Sequence, residues 1–168
     1  MIPEFAGNGK DDITVEQVMM HTSGFPRQPW RTMATSAERR AQFADWKLNW
    51  EPGTRYEYHA TTAHWVLAEL IETVSGMDFR DFVATRIATP LGLPQLRPGV
   101  PRAEQDNIAT LVNVVEPPSP DEIEAVFGVG SLPPNEVTPA ALAAVNSTAR
   151  PKLGLPAPGA VMTAPTLA

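Results

Sequence analysis

The chain has 168 residues, no cysteine and a formal net charge of −6. This suits one domain or part of a larger one, excludes disulfides, thiolate catalysis and cysteine–zinc sites, and offers no basic stripe to nucleic acid. Hydrophobic residues make up 43%, enough for a core, yet no stretch reaches the ~18 consecutive apolar residues of a membrane-spanning helix.

The opening MIPEFAGNGKDD has neither a basic n-region nor an apolar h-region. No signal peptide is read there, which leans toward the cytoplasm and otherwise leaves the compartment open. ITVEQVMM then reads as a short helix. Thr14 and Gln17 form a capping box, Val15, Val18 and Met19 mark an apolar face, and Gly24 is a natural left-handed stop. Ser36 is expected to cap a second helix carrying Phe43 and Trp46 on one face. Pro52-Gly53 is a turn, and Arg55 to Tyr58 alternates like a short strand. A helix is expected from about Thr62 to Ser75, with Trp65, Leu67, Leu70, Ile71 and Val74 inside and Gly76 just beyond it. Asp78 caps the next helix, which Pro90 ends.

Beyond Arg97 the elements are small. Ile108 to Val115 reads as a strand, Pro120 to Phe127 as a short acidic helix, and Thr138 to Val145 as an alanine-rich one. The final PAPGAVMTAPTLA, with Thr163 as cap and Pro165 in a first turn, reads as a helix start. The prolines divide unevenly: six of 18 lie in residues 1–97, and of 12 aromatics only Phe127 lies beyond residue 97. Since aromatics supply much of a core's buried area, residues 1–97 are expected to carry the core and residues 98–168 to form loops and short helices packed on it.

Chemistry-bearing motifs are sparse. Gly-x-Ser-x-Gly, Ser-x-x-Lys and Lys-Thr-Gly do not occur in the 168 residues. A serine needs an adjacent base to lose its proton at neutral pH. Ser23, close to His21 in HTSG, reads as a turn hydroxyl rather than a nucleophile. His59 and His64 lie five apart, a poor match to the paired helical spacing of a zinc site, so no metal or other cofactor is expected. Glu57, Glu69 and Glu72 read as solvated or capping carboxylates. Tyr58 stands out because it falls between a tight turn and a helix start, a junction where sites are commonly built. A tyrosine serves as a base only where neighbouring cations lower its ordinary pKa of about 10, and no lysine of the chain is an obvious candidate.

ITVEQVMMHTSGFP resembles the ITV-x-x-LL-x-HTSGLP stretch of the serine β-lactamase-like hydrolases: class C β-lactamases, DD-peptidases and family VIII carboxylesterases. PGTRYEYHATTAHWVLAELIETVSGMDFRDFVATRIATPLGLP is similar to their PGT-x-F-x-YSN-x-x-Y-x-LLG-x-IIE-x-VTG block with its following PLG, and PGAVMTAPTLA to their GGL-x-ST-x-x-DLA segment. The resemblance implies an α+β (α/β) fold, here mostly the helical domain with an incomplete sheet. It divides the chain into a helical-domain segment, residues 1–97, carrying HTSG and Tyr58, and Pro-rich loops and short helices, residues 98–168, cut at a helix start.

It also implies an acyl-enzyme mechanism, in which the serine of Ser-x-x-Lys attacks a carbonyl and the tyrosine of Tyr-x-Asn helps move protons. That tyrosine falls on Tyr58, whereas the asparagine position reads Ala60. HTSG is then a scaffold segment, and the chain the middle of a longer hydrolase whose substrate is a small ester or amide. By itself it is expected to be inactive and prone to self-association. The alternatives are a non-catalytic binding or interaction module on the same fold and, more remotely, a metal hydrolase using His59 and His64.

Overall fold

A computed structural model describes residues 2–29, 35–114, 118–131, 138–147, 154–157 and 159–167. The local signals in the sequence form most of the expected helices. Thr14 caps α1 (Val15–Met19) through the full capping box with Gln17. α2 (Ser36–Asp45) is capped by Thr35 rather than Ser36: Thr35 and Glu38 form the box, which leaves the Ser36 hydroxyl free to reach another helix. α3 spans Thr62–Ser75 and ends at Gly76, whose φ of 68° needs no Cβ to be accommodated. α4 (Phe79–Phe82), capped by Asp78, runs directly into a π-helical turn, Val83–Ala88.

Two expected strands do not form. Residues 55–59 belong to no helix or strand. Their amides find isolated partners instead, Glu57 N–H donating to His21 O and His59 N–H to His21 Nδ1. Residues 108–114 are likewise irregular, and Val115 lies outside the described residues. The sheet among the described residues is one antiparallel pair, β1 (Arg97–Pro98) with β2 (Ala160–Val161). Between these strands lie α5 (Pro120–Phe127) and α6 (Pro139–Val145), neither with a buried residue, and α7 (Ala164–Leu167) follows β2. The architecture is thus mostly helical with a two-stranded sheet.

The core is aromatic. Phe5 stands edge-on to Phe25 at 5.5 Å and to Phe43 at 6.0 Å, and Phe43 meets Trp46 at 4.9 Å. Ile2, Val18, Ala63, Trp65 and Val66 complete it. Each of the larger aliphatic and phenylalanine side chains contributes roughly 1.5–3 kcal/mol by leaving water. α3 turns Trp65, Val66 and Glu69 inward, whereas Val74 is 79% exposed, so the inward face drifts away from Val74 by the last turn. On α1 only Val18 is buried, with Val15 and Met19 in solvent.

Two polar devices hold α2 in place. The Lys10 ammonium, buried, donates to Gly7 O at 2.8 Å and Trp46 O at 2.6 Å, and Asn8 donates to Ala44 O at 3.0 Å. These donors take the carbonyls left over where α2 ends. On its other side α2 is clamped to α3. Glu69, expected to be solvated, is fully buried and accepts from Ser36 Oγ, Arg39 Nε at 2.9 Å and Arg40 Nε at 2.6 Å. Glu72 pairs with the far side of Arg39 and accepts from the Phe79 amide, linking α4 to the same clamp.

The later segment returns to the first through Gly154 and Leu155. A Cβ on Gly154 would lie 2.5 Å from Pro98 O, so the backbone approaches β1 as only glycine allows, and Leu155 packs against the core.

Candidate active site

The site is built where HTSG meets the Tyr58 segment. α1 ends in a Schellman turn, with Thr22 N–H donating to Gln17 O and His21 N–H to Val18 O. The left-handed position of that turn falls on His21, with φ of 56°, not on Gly24 as the sequence suggested. Gly24 has a different reason to be glycine: a Cβ there would sit 2.5 Å from Trp50 O. Phe25, next in the chain, is fully buried, and its carbonyl accepts from Thr62 Oγ1 at 2.9 Å, which fixes the first turn of α3 against the HTSG turn.

This places three histidines and two tyrosines together. The His21 ring stands edge-on to Tyr58 at 4.7 Å and to Tyr56 at 6.4 Å, and lies 5.9 Å from His59 and 6.3 Å from His64. His59 is fully buried with both ring nitrogens engaged: Nε2 accepts from Phe25 N–H at 3.1 Å and Nδ1 donates to Glu57 O. A carbonyl only accepts and an amide N–H only donates, so this pairing defines a neutral imidazole with its proton on Nδ1. Burial, assisted by nearby His21, holds His59 below its ordinary pKa despite the opposing bond to Glu57 O. Burial and His21 lower His64 likewise. His59 therefore has no free lone pair for a metal in this arrangement.

Tyr58 lies between these groups, 56% exposed. It lines a pocket of about 560 Å³ with Pro26, Arg27, Gln28, Ala60 and Thr61. Arg27 reaches back to Glu57 at 3.2 Å. A wider cleft, about 760 Å³, runs between the π-helical turn and residues 97–101 and contains none of the site candidates read from sequence. Ser23 is fully buried, and its Oγ has no hydrogen-bond partner among the described residues. It is sealed from any substrate. The contribution of His59 to this site was not read from the sequence; its signal, a second histidine spaced to face HTSG, emerges only when the two loops pack.

The sequence pattern of the family described as Beta-lactamase matches residues 1–168. The chain belongs to the beta-lactamase family.

Among relatives, this beta-lactamase-family chain is 31% identical over 108 residues to the Esterase/beta-lactamase LipL of Mycobacterium tuberculosis, covering 61% of the chain and 24% of LipL. It is 29% identical over 108 residues to a Beta-lactamase of Escherichia coli, covering 64% of the chain and 28% of that protein. The chain thus spans about a quarter of the length of these relatives. Its fold matches the crystal structure of a penicillin-binding protein homolog from Caulobacter crescentus with a TM-score of 0.70 at 28% identity, over 99% of this chain and 44% of that one. Among the described residues no helix is long and apolar enough to cross a membrane.

Proposed function

We propose that this chain supplies the tyrosine side of a serine hydrolase that cleaves a small ester or amide through an acyl-enzyme. The observation that carries the reading is the placement of Tyr58, half-exposed at the mouth of a pocket and held between the HTSG turn and the start of α3, in a chain of the beta-lactamase family. In this reading a serine hydroxyl adds to the substrate carbonyl, and the Tyr58 hydroxyl relays the released proton to the departing alcohol or amine. Water then attacks the acyl-serine and restores the hydroxyl. That serine, in a Ser-x-x-Lys segment, belongs to the longer protein, since no Ser-x-x-Lys occurs in these 168 residues. Ala60 lines the pocket where a Tyr-x-Asn motif would present an amide. An amide substrate would lose a polar contact there, which favours an ester.

The test compares the 168 residues with a longer protein carrying Ser-x-x-Lys, using p-nitrophenyl esters and a chromogenic cephalosporin. The isolated chain is expected to turn over neither, because losing the nucleophile of a coupled set removes nearly all covalent catalysis. In the longer protein Tyr58→Phe is expected to lower kcat by about 10²–10⁴-fold, the usual contribution of a positioned proton-transfer group. A Tyr58→Phe variant with full kcat defeats the assignment. Ester turnover by the isolated chain defeats the expectation of inactivity. A second reading, a non-catalytic interaction module on the same fold, draws on Ala60. Stop codons bordering the 168 codons at both ends would favour it.

A further inference from the structure

We propose that His21 and His59 form a clasp of two neutral imidazoles with opposite tautomers, and that this clasp positions Tyr58. The inference rests on Tyr58 being the proton-moving group and adds the means by which its ring is aimed. The backbone ties that flank Tyr58 lead to these histidines, while the Glu57 carboxylate pairs outward with Arg27 and Arg55. Before it, Glu57 N–H donates to His21 O at 3.2 Å and Glu57 O accepts from His59 Nδ1. After it, the His59 amide donates to His21 Nδ1 at 3.2 Å. The His59 ring then anchors the loop to the buried wall, accepting the Phe25 amide on Nε2 at 3.1 Å. Above the clasp the His21 ring meets Tyr58 edge-on at 4.7 Å.

The hydrogen-bond directions assign the protons. His21 Nδ1 accepts, so its proton is on Nε2; His59 Nδ1 donates and Nε2 accepts, so its proton is on Nδ1. A proton added to His59 Nε2 would point at the Phe25 N–H, and one added to His21 Nδ1 would point at the His59 N–H. Either would open one side of the clasp. The left-handed backbone at His21 suits the same purpose. An asparagine or glycine would satisfy φ of 56° more easily, but neither carries a ring to stand against Tyr58. The ionisable groups around His59 are His21 from the α1 turn, His64 from α3, Glu57 and Tyr58 from its own segment, and the two arginines paired to Glu57, Arg27 and Arg55.

The test is NMR on the 168-residue protein, uniformly labelled with carbon-13 and nitrogen-15. Tyr56→Phe separates the signals of the chain's two tyrosines. Near neutral pH, long-range proton–nitrogen correlations should show His59 protonated on Nδ1 and His21 on Nε2. As the pH is lowered below the ordinary histidine value of about 6.5, the Tyr58 ring signals and the Phe25 amide should shift together, while Phe43 and Trp65 signals hold. His59→Gln offers the Phe25 amide a neutral acceptor, so Tyr58 should stay in place near neutral pH and the Phe25 amide should lose its response to pH. His59→Leu should displace Tyr58 at every pH, and His21→Asn, which keeps an acceptor but no ring, should reduce the ring-current shift of Tyr58 to what the more distant His64 ring supplies. The proposal is overturned if the two histidines share a tautomer, if Tyr58 moves only when the core signals are lost with it, or if Tyr58 is unmoved in a folded His59→Leu protein. These readouts are independent of turnover, so a failed clasp is distinguishable from a failed catalytic assignment of Tyr58.

Discussion

Arg39 Nε lies 2.9 Å from Glu69 Oε2, with the arginine side chain 5% exposed and the glutamate 0%. The pair joins α2 to α3, and Arg40 and Ser36 satisfy the other carboxylate oxygen. Removing one partner of a buried, hydrogen-bonded ion pair leaves an uncompensated charge and costs about 3–5 kcal/mol. Glu69→Ala is expected to lower the unfolding free energy by that amount. Arg40→Ala should cost less, its side chain being 26% exposed and so partly served by water. Urea titration checks both. A Glu69→Ala loss no larger than the ~0.5 kcal/mol of an ordinary surface substitution would contradict the clamp.

Stability should fall in two stages as pH drops. His59 and His64 are held below the ordinary 6.5, by burial first and His21 second. The unfolded chain therefore binds protons before the native one, and the stability present above about 6.5 is lost progressively beneath it. Glu69 is held below the ordinary 4.5: burial pushes it up, and the bonds from Ser36, Arg40 and Arg39 outweigh that. Asp78 is held below 3.8 chiefly by Arg80. Both depressed carboxyls keep their stabilisation above the ordinary values and lose it as pH falls further. Melting temperature against pH should show an early decline below 6.5 that His59→Gln reduces, followed by a steeper one below about 4.5. A level profile from pH 7 to 5 would refute the first stage.

The capping signals at Thr14 and Asp78 were legible because capping is local: the residue and its partner lie within a few positions. The same holds for Gly76 after α3. Glu69 was not legible, since a glutamate on a helix reads as solvated until two arginines thirty residues away pack against it. Arg55–Tyr58 alternates as a strand would, yet strand formation needs a neighbouring strand, and its neighbour is the HTSG turn. Within the candidate site, Tyr58 was singled out by its junction and its motif, and the structure places it beside the HTSG turn. The two histidines that hold it there were not, because their bonds run between segments 34–38 residues apart.

Ser23 offers a test of what HTSG does. Its hydroxyl is fully buried with no partner among the described residues. A buried, unpaired hydroxyl costs about 1–3 kcal/mol of desolvation with nothing returned. Ser23→Ala is therefore expected to leave the melting temperature unchanged or raise it and, under the proposed function, to leave any ester hydrolysis by the longer protein intact. A marked loss of activity at unchanged stability would make Ser23 a chemical rather than a packing residue.

Gly24 should tolerate no side chain at all. Its φ of 86° and the 2.5 Å approach of a built Cβ to Trp50 O act together. The obstacle is backbone, which cannot rotate aside as a flexible side chain would, and Asn49 N–H donating to Gly24 O at 2.7 Å holds the strands of chain in register. Left-handed strain alone is worth about 1–3 kcal/mol. Gly24→Ala is expected to exceed the lower end of that range by denaturant titration, while Gly76→Ala, with open space around its Cβ, should cost only the backbone term. Equal losses at the two glycines would show that contact with Trp50 contributes nothing.

The α1 face is the place to look for self-association, which we propose for the isolated chain. Val15 and Met19 on α1 are 52% and 63% exposed, and Met20, just past its end, is 61% exposed. Covering a few hundred Å² of such surface returns several kcal/mol at ~25 cal/mol per Å². Joining two molecules costs an estimated 4–15 kcal/mol in lost freedom. The two terms nearly cancel, so the association should be weak and visible only at high concentration. Sedimentation equilibrium from about 10 μM to 1 mM spans the corresponding range of dissociation constants. The average mass is expected to rise toward the upper end, and Met19→Glu with Met20→Lys should suppress the rise without lowering the melting temperature. A strictly monomeric wild-type chain throughout that range would rule the association out.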